Sequence, residues 1–338
     1  MTQIPAGQSA RYRFVLSLFS LLVGLGIVEC MLRIVGYVPS YHDGTLYAAT
    51  GDARGYGHSH NWSGMDSGVR VRTNNDGFRG SNIEARKKPG EFRVLVVGDS
   101  VAFGLGVEED AIFPSQLDRI LRLHHPQRAI RVMNSGVASY NTRSELESLK
   151  HFWHLEPDLI VLQYLVDNDS DLEPGIGVDP QTGRLAHPAA SRFLPAPVSL
   201  ALNRHSRTYN FLRYHFARIA GTAESPVETG NPNRFSFDDP GWIESRRALL
   251  MMSNLAREHN VPFIVGGLGL VQRLHGMETL STYCAEHGIP YVELWKTTDV
   301  ASYMKAYAVS SRDAHPNADG HRIIAERLAQ RLDLLLSN

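Results

Sequence analysis

A short apolar run followed by a glycine and two polar residues constrains the fold of this chain more than any other stretch. Residues 94–97 are apolar and mostly β-branched, a composition typical of a strand buried inside a parallel sheet. Gly98 permits a sharp exit from such a strand, and Asp99 and Ser100 follow it. Open α/β sheets place their ligands at that carboxyl end. Ser100 is therefore predicted to be a nucleophile, with a helix cap as its alternative role.

The sequence after this stretch alternates between strand and helix patterns. Strands are predicted at residues 93–98, 130–133, 159–165, 262–266 and 291–294. Helices are predicted at residues 111–123, 144–153, 242–258, 271–287 and 317–336. Alternation of this kind predicts an α/β fold with a parallel sheet and right-handed crossovers.

The N-terminal segment is predicted to anchor the chain in a membrane. Residues 14–35 are predominantly apolar and reach the length of a bilayer-spanning helix, ~20 residues. Arg11 and Arg13 precede this run and favour an inside location for the N-terminus. Glu29 and Arg33 share a helix face and are expected to pair near the outer interface. A cleaved signal peptide, a lipidated cysteine and a soluble amphipathic helix fit these residues less well.

The remaining patterns divide the chain into three regions. Residues 1–36 are the signal anchor and transmembrane helix, and residues 37–90 are an irregular lead-in segment with a strand or hairpin arm at 69–73. Residues 91–338 form the α/β domain. Within it, residues 170–240 carry eight prolines and interrupt the alternation. They are expected to form an insertion over the carboxyl edge of the sheet, either a lid or a surface excursion.

Composition argues against several classes of function. The chain carries 34 Lys and Arg against 35 Asp and Glu, a net charge of -1, which leaves no basic excess for nucleic acid. The two cysteines, Cys30 and Cys284, lie far apart and do not suggest a disulfide framework or a cysteine metal site. His58 and His60 lack further ligands at metal spacing and are interpreted as loop histidines, so no metal is predicted.

Residues able to support acyl transfer follow the predicted strands. Gly136 comes after the second strand and Asn168 after the third, while Asp313 and His315 precede the last helix. His315 would take the Ser100 proton and Asp313 would orient the imidazole. The N–H groups of Ser100 and Gly136 and the amide of Asn168 would bind the oxyanion. Turn and helix-cap roles are the alternatives for these positions.

Four motifs in this order resemble the four blocks of the SGNH/GDSL hydrolase superfamily. They are Gly98-Asp99-Ser100, Gly136, Asn168-Asp169 and Asp313-Ala314-His315-Pro316-Asn317. Residues 72–80 resemble the lead-in of a bacterial membrane-anchored branch. The resemblance covers residues 91–336 and implies a flavodoxin-like three-layer α/β/α sandwich with a five-stranded sheet. It also implies ester hydrolysis without a metal or other cofactor. Val166 stands where the family has glycine, and one residue instead of two separates Asp313 from His315.

The resemblance implies a serine esterase, with short-chain esters and O-acetyl groups of envelope polysaccharides as candidate substrates. Two alternatives share the scaffold: an O-acyltransferase acting on envelope glycans and a non-catalytic glycan-binding protein. The expected partners are the ester substrate and, through the N-terminal helix, the membrane, but not nucleic acid. The expected location is a single-pass membrane protein with its catalytic domain on the extracytoplasmic side.

Overall fold

The computed structural model divides the chain into two compact units. One comprises residues 1–41 and 189–225, and the other residues 42–188 and 226–338. The structure describes residues 6–35, 46–166, 169–170, 177–178, 185–186, 198, 201–202, 205–212, 235–236, 238–269, 274–297, 299–311 and 313–337.

The first unit contains an apolar helix, α1 (Ala6–Ile34). Residues 11–34 contain an 18-residue window with a mean hydropathy of 2.3 and are long and apolar enough to cross a membrane, a test that a signal sequence also passes. Arg33 pairs with Glu29 at 2.8 Å, as expected from their spacing. Glu29 also accepts the N–H groups of Arg207 (3.1 Å) and Thr208 (2.9 Å). Part of the predicted insertion is therefore bound to the end of α1.

The second unit contains the remaining described elements. Its strands are β1 (Tyr47–Ala49), β2 (Tyr56–His58), β3 (Ser63–Asp66), β4 (Val69–Arg72), β5 (Glu91–Val97), β6 (Ala129–Asn134), β7 (Leu159–Leu165), β8 (Gly177–Val178), β9 (Leu185–Ala186), β10 (Phe263–Gly269), β11 (Tyr291–Lys296), β12 (Ala308–Ser310) and β13 (Asp313–Pro316). Its helices are α2 (Ser100–Phe103), α3 (Phe113–His124), α4 (Thr142–Phe152), α5 (Pro240–Glu258), α6 (Leu274–Glu286), α7 (Val300–Ala306) and α8 (Ala318–Leu336), with a 3₁₀ turn at Trp153–Leu155.

Five parallel strands form the central sheet of this unit. Their order is β6-β5-β7-β10-β11, and every neighbouring pair is parallel. This is the flavodoxin-like order, in which the first strand lies between the second and the third. The predicted parallel five-stranded sheet is confirmed, because runs of apolar residues in strands covered on both faces are a strong local signal.

Helices cover both faces of the sheet. Alternate side chains of a strand point to opposite faces, and Leu95 and Val96 of β5 accordingly lie in different apolar clusters. On the Leu95 face, α4, α5 and α6 contribute buried residues such as Leu249. On the Val96 face, α3 and α8 contribute others such as Leu328. The three-layer α/β/α arrangement is thus confirmed.

A third apolar cluster connects the lead-in segment to the carboxyl end of the sheet. Tyr56 and Val71 of the lead-in pack with Phe103 and Tyr140, which follow β5 and β6. Strand β4 pairs antiparallel with β3, so the hairpin arm expected at residues 69–73 is present. The lead-in segment therefore contributes to the same end of the sheet at which Ser100 lies.

Candidate active site

The turn that carries Ser100 is closely packed; we call residues 98–104 the Ser100 turn. A Cβ on Gly98 would lie 2.6 Å from Gln163 Oε1 and 2.9 Å from Ala102 Cβ, so the close packing where β5 ends favours glycine. Asp99 caps α2 by accepting the N–H of Val101 at 2.8 Å. Gly104 ends α2 with a φ of +81°, a left-handed conformation that favours glycine. The sequence motif thus folds into a single helical turn with Ser100 as its first residue.

Gln163 holds the Ser100 turn from the neighbouring strand. Its side chain is fully buried in β7, and its Oε1 accepts the N–H groups of Ala102 (2.9 Å) and Asp99 (3.3 Å). None of the four motifs includes Gln163, so the motif pattern assigns it no role. The sequence did contain a signal for this role: Gln163 is a single amide in an otherwise apolar strand, and a buried amide needs hydrogen-bond partners.

Ser100, His315 and Asp313 form a hydrogen-bonded series. His315 Nε2 lies 2.9 Å from Ser100 Oγ, and His315 Nδ1 lies 2.6 Å from Asp313 Oδ1. Asp313 Oδ1 also accepts the backbone N–H of His315 at 3.0 Å, which fixes the carboxylate beside the ring. In the tautomer protonated at Nδ1, the imidazole donates to Asp313 and accepts the Ser100 hydroxyl, the geometry of a general base beside a nucleophile.

Local structure places His315 and Asp313 in this position. Both lie in β13, which pairs antiparallel with β12. Asn317 then caps α8 by accepting the N–H groups of Asp319 and Gly320. Residues two apart in a strand point to the same face, so the single residue between Asp313 and His315 lets both side chains face the Ser100 turn.

The charges around His315 shift its pKa upward. Burial lowers the pKa of His315, but the hydrogen bond to Asp313, the charge of Asp313 and the charge of Asp99 raise it, and the net pKa lies above its usual value. The environment therefore favours the imidazolium that forms when His315 accepts a proton.

Gly136 lies against α2. A Cβ there would be 2.6 Å from both Ala102 Cβ and the Phe103 nitrogen, so a side chain does not fit. The Gly136 N–H donates to Asn134 Oδ1 at 3.1 Å. In this conformation the donor predicted for the oxyanion is thus used within its own loop, and its role stays a prediction.

The third motif is only partly described. Asn168 lies outside the described residues, and its predicted role also stays a prediction. Val166, which stands where the family has glycine, is fully buried and donates its N–H to Leu268 at 2.9 Å. A Cβ on Gly276 would lie 2.3 Å from Val166. Val166 is therefore a core residue, and it packs against Gly276 of α6, where that helix has no side chain.

Buried carboxyl groups lie close to the Ser100 turn. Asp99, Glu145 and Asp169 are at most 1% exposed. Burial and the charge of Asp99 raise the pKa of Glu145, and burial and the charge of Glu145 raise the pKa of Asp169. The pair therefore retains protons at a pH where ordinary carboxyls have lost them.

A metal site is not evident in the described part of the chain, where no three His, Cys, Asp or Glu residues are grouped to hold an ion. His321, in the first turn of α8, is fully buried and accepts the N–H of Phe113 at 3.1 Å. Burial lowers the pKa of His321 to about 3, with the charges of Arg79 and His315 acting in the same direction. It is therefore neutral and holds the start of α3.

Comparison with known proteins gives similarity to solved structures only. No protein-family model and no curated protein matches the chain. A lipolytic protein of the G-D-S-L family from Desulfitobacterium hafniense DCB-2 is 12% identical, with a TM-score of 0.40, over 70% of this chain and 98% of that one. A two-domain esterase active on acetylated mannans is 11% identical, with a TM-score of 0.44, over 74% and 51%. An acetylxylan esterase from Geobacillus stearothermophilus is 13% identical, with a TM-score of 0.38, over 71% and 94%.

Proposed function

We propose that the chain is a serine esterase of the SGNH/GDSL type. The observation that carries this proposal is the hydrogen-bonded series from Ser100 through His315 to Asp313 at the carboxyl end of a parallel sheet. Such a series activates a hydroxyl for attack on a carbonyl carbon.

The proposed reaction begins when Ser100 Oγ attacks the ester carbonyl while His315 Nε2 takes its proton. Asp313 stabilises the resulting imidazolium. The tetrahedral intermediate collapses, the alcohol leaves with the proton from His315, and Ser100 keeps the acyl group. Water then attacks the acyl carbon while His315 takes its proton. The bond to Ser100 Oγ breaks, the acid leaves, and His315 returns the proton to Ser100.

The Ser100 N–H is the donor that the turn offers to the oxyanion. The N–H groups of Asp99, Val101 and Ala102 already bond to side-chain oxygens. Gly136 joins this donor if a substrate displaces Asn134 from its N–H, and Asn168 is proposed as the third. Each donor lowers the barrier by about 3–4 kcal/mol.

The substrate class and location are further parts of the proposal. Short-chain acyl esters, with O-acetyl groups of envelope polysaccharide as the first candidates, follow from the resemblance of the motifs. The apolar helix α1 supports a membrane-anchored protein. We propose an extracytoplasmic location for the second unit because Arg11 and Arg13 precede the apolar run.

The test is labelling of the full chain by a fluorophosphonate, together with hydrolysis of p-nitrophenyl acetate. We expect Ser100→Ala to abolish labelling and His315→Ala to slow turnover by at least about 10³-fold. Ser148→Ala, a buried serine on α4, serves as the matched control and should label normally. Ester turnover that survives Ser100→Ala would contradict the proposal. Acyl transfer to a glycan that is faster than hydrolysis would identify a transferase. Glycan binding in the absence of Ser100 labelling would identify a non-catalytic protein.

A further inference from the structure

We infer that Arg79 of the lead-in segment is a positioning residue for the Ser100 turn. This inference rests on the proposed function. The guanidinium of Arg79 is buried, with the residue 3% exposed. It donates through Nη1 to the carbonyls of Phe103 (3.1 Å) and Gly104 (2.6 Å), and through Nη2 to that of Val107. One side chain from outside the sheet thus holds two carbonyls at the far end of the helical turn that begins at Ser100, and a third carbonyl just beyond it.

Two of the bonded carbonyls, those of Phe103 and Gly104, belong to peptide groups whose N–H bonds to Ser100. The N–H groups of Gly104 (3.0 Å) and Leu105 (3.1 Å) both donate to the Ser100 carbonyl. α2 has only four residues, so it has no interior of its own to keep it rigid. The position of Ser100 Oγ relative to His315 therefore depends on groups that hold both ends of the turn. Gln163 holds the amino end and Arg79 the carboxyl end.

The lead-in segment fixes the backbone of Arg79. Asn74 Oδ1 accepts the N–H groups of Asp76 and Phe78, both at 2.9 Å, and Asn74 Nδ2 donates to Ser81. Gly77 has a φ of +80°, and a Cβ there would lie 2.8 Å from the His58 carbonyl. Arg79 itself forms a bridge with Thr73. This compact loop presents the arginine in one orientation, so little side-chain freedom is lost when it bonds to the turn.

The chemistry of the contact requires a guanidinium. Burial lowers the pKa of Arg79 to about 10, although Glu109, Asp66 and Glu108 act against this, so the group is charged at neutral pH. Its planar array of donors spans three carbonyls, whereas a lysine ammonium is a compact point charge. The Arg79 guanidinium carbon also lies 5.2 Å from the centre of the Phe103 ring, a cation–π contact that adds to the hold on α2.

Arg93 provides a matched control for a merely structural role. It is fully buried and also donates to carbonyls, those of Leu155 and Glu84, both at 2.8 Å. It lies near the amino end of β5, away from the Ser100 turn. Substituting either arginine by lysine removes a buried network, but only Arg79 supports the turn.

The experiment compares Arg79→Lys, Arg79→Gln and Arg93→Lys in the full chain, purified in detergent. We expect both Arg79 variants to lower kcat about 10- to 100-fold with KM changed less than about threefold, since small displacements of a reacting group reduce rate more than binding. The rate of phosphonylation by a fluorophosphonate, in which Ser100 Oγ bonds to phosphorus and fluoride leaves, should fall by a similar factor. Arg93→Lys should lower Tm without changing kcat. Added guanidinium should restore part of the kcat of Arg79→Gln but not of Arg79→Lys.

The outcomes separate this inference from the proposed function. If the unsubstituted chain neither hydrolyses esters nor labels at Ser100, the proposed function fails. If it does both, and Arg79→Lys lowers Tm as Arg93→Lys does while kcat and labelling rate stay unchanged, Arg79 is only structural and the inference is overturned. Circular dichroism of each variant identifies any that does not fold, and Arg79→Lys, the milder change, then decides between these outcomes.

Discussion

The two ends of strand β5 both bury charged residues, but in different electrostatic settings. At the amino end, Arg93 pairs with Glu91 at 3.0 Å and donates to carbonyls nearby. At the carboxyl end, the carboxyls of Asp99, Glu145 and Asp169 are buried near one another. No ion pair joins Glu145 or Asp169 to a cation in the described part of the chain. A paired arginine and glutamate thus lie at one end of the strand, and a group of buried carboxyls lies at the other.

This difference predicts that the amino end of β5 contributes to stability and that its carboxyl end contributes to function. Paired opposite charges need no change of protonation to be buried, whereas neighbouring carboxylates shift each other's pKa upward. Perturbed pKa values of this kind gather at functional sites. Substitutions at the carboxyl end are therefore expected to change catalysis or the pH dependence of activity or stability. Substitutions at the amino end are expected to change only the free energy of unfolding.

The largest effect is expected from Asp313→Asn. The amide cannot stabilise the imidazolium of His315 and favours the wrong tautomer, so kcat/KM should fall on the order of 10³- to 10⁴-fold. Steady-state ester hydrolysis measures the change. Asp319→Asn, an exposed carboxylate in the first turn of α8, is the control and should retain activity. A loss of kcat/KM smaller than tenfold in Asp313→Asn would show that Asp313 does not assist His315.

A smaller effect is expected from Gln163→Leu. The N–H groups of Asp99 and Ala102 lose their acceptor, so stability should fall by about 2 kcal/mol, and kcat should fall about tenfold as the Ser100 turn loosens. Gln116→Leu removes another buried glutamine, on α3, and should lower stability alone. Equal kcat values in the two variants would show that Gln163 does not position the turn.

The pH dependence of kcat/KM should show the raised pKa of His315. His315 must be neutral to accept the Ser100 proton, so activity should rise through a midpoint above 6.5, and Asp313→Asn should move that midpoint down. Stability should change in the opposite direction. The raised pKa of His315 stabilises the fold fully at pH values below the pKa of the unfolded state, and this stabilisation is lost as the pH rises through the pKa of the folded state. A midpoint at or below 6.5 would contradict the arrangement of charges around His315.

The smallest effect is expected from Glu145→Gln. Because the pKa of Glu145 is raised in the folded state, wild-type stability should decline as pH rises above the unfolded pKa. The glutamine variant lacks this decline, so thermal unfolding at a series of pH values should show its Tm advantage growing as the pH is raised from weakly acidic to neutral. The gain in free energy of unfolding is at most about 1.4 kcal/mol for each pH step of one. Glu147→Gln, on the same helix and paired with Lys150, is the matched control, and the same trend in both variants would contradict a specific role of Glu145.

Much of the fold and of the candidate site could be predicted from local sequence. Buried parallel strands are continuous apolar runs, and the predicted limits of the strand at 159–165 agree with β7. The topology of a parallel sheet brings the carboxyl ends of strands to one edge, so residues as distant as Ser100 and His315 could be expected to lie together. The structure brings them within hydrogen-bond distance; their catalytic roles remain predictions.

The tertiary structure alone decided which polar side chains hold that site. Gln163 and Arg79 contact the Ser100 turn from 61 and 24 residues away in the chain, and no local periodicity encodes such pairings. Residues 189–225, part of the predicted insertion, belong to the same compact unit as α1, a grouping that no sequence pattern indicated. The sequence by itself thus determined the sheet, because continuous apolar runs that alternate with helix patterns are signals contained in neighbouring residues. Long-range hydrogen bonds decided how the Ser100 turn is held. A buried polar group needs a hydrogen-bond partner, and the fold determines which partner is near.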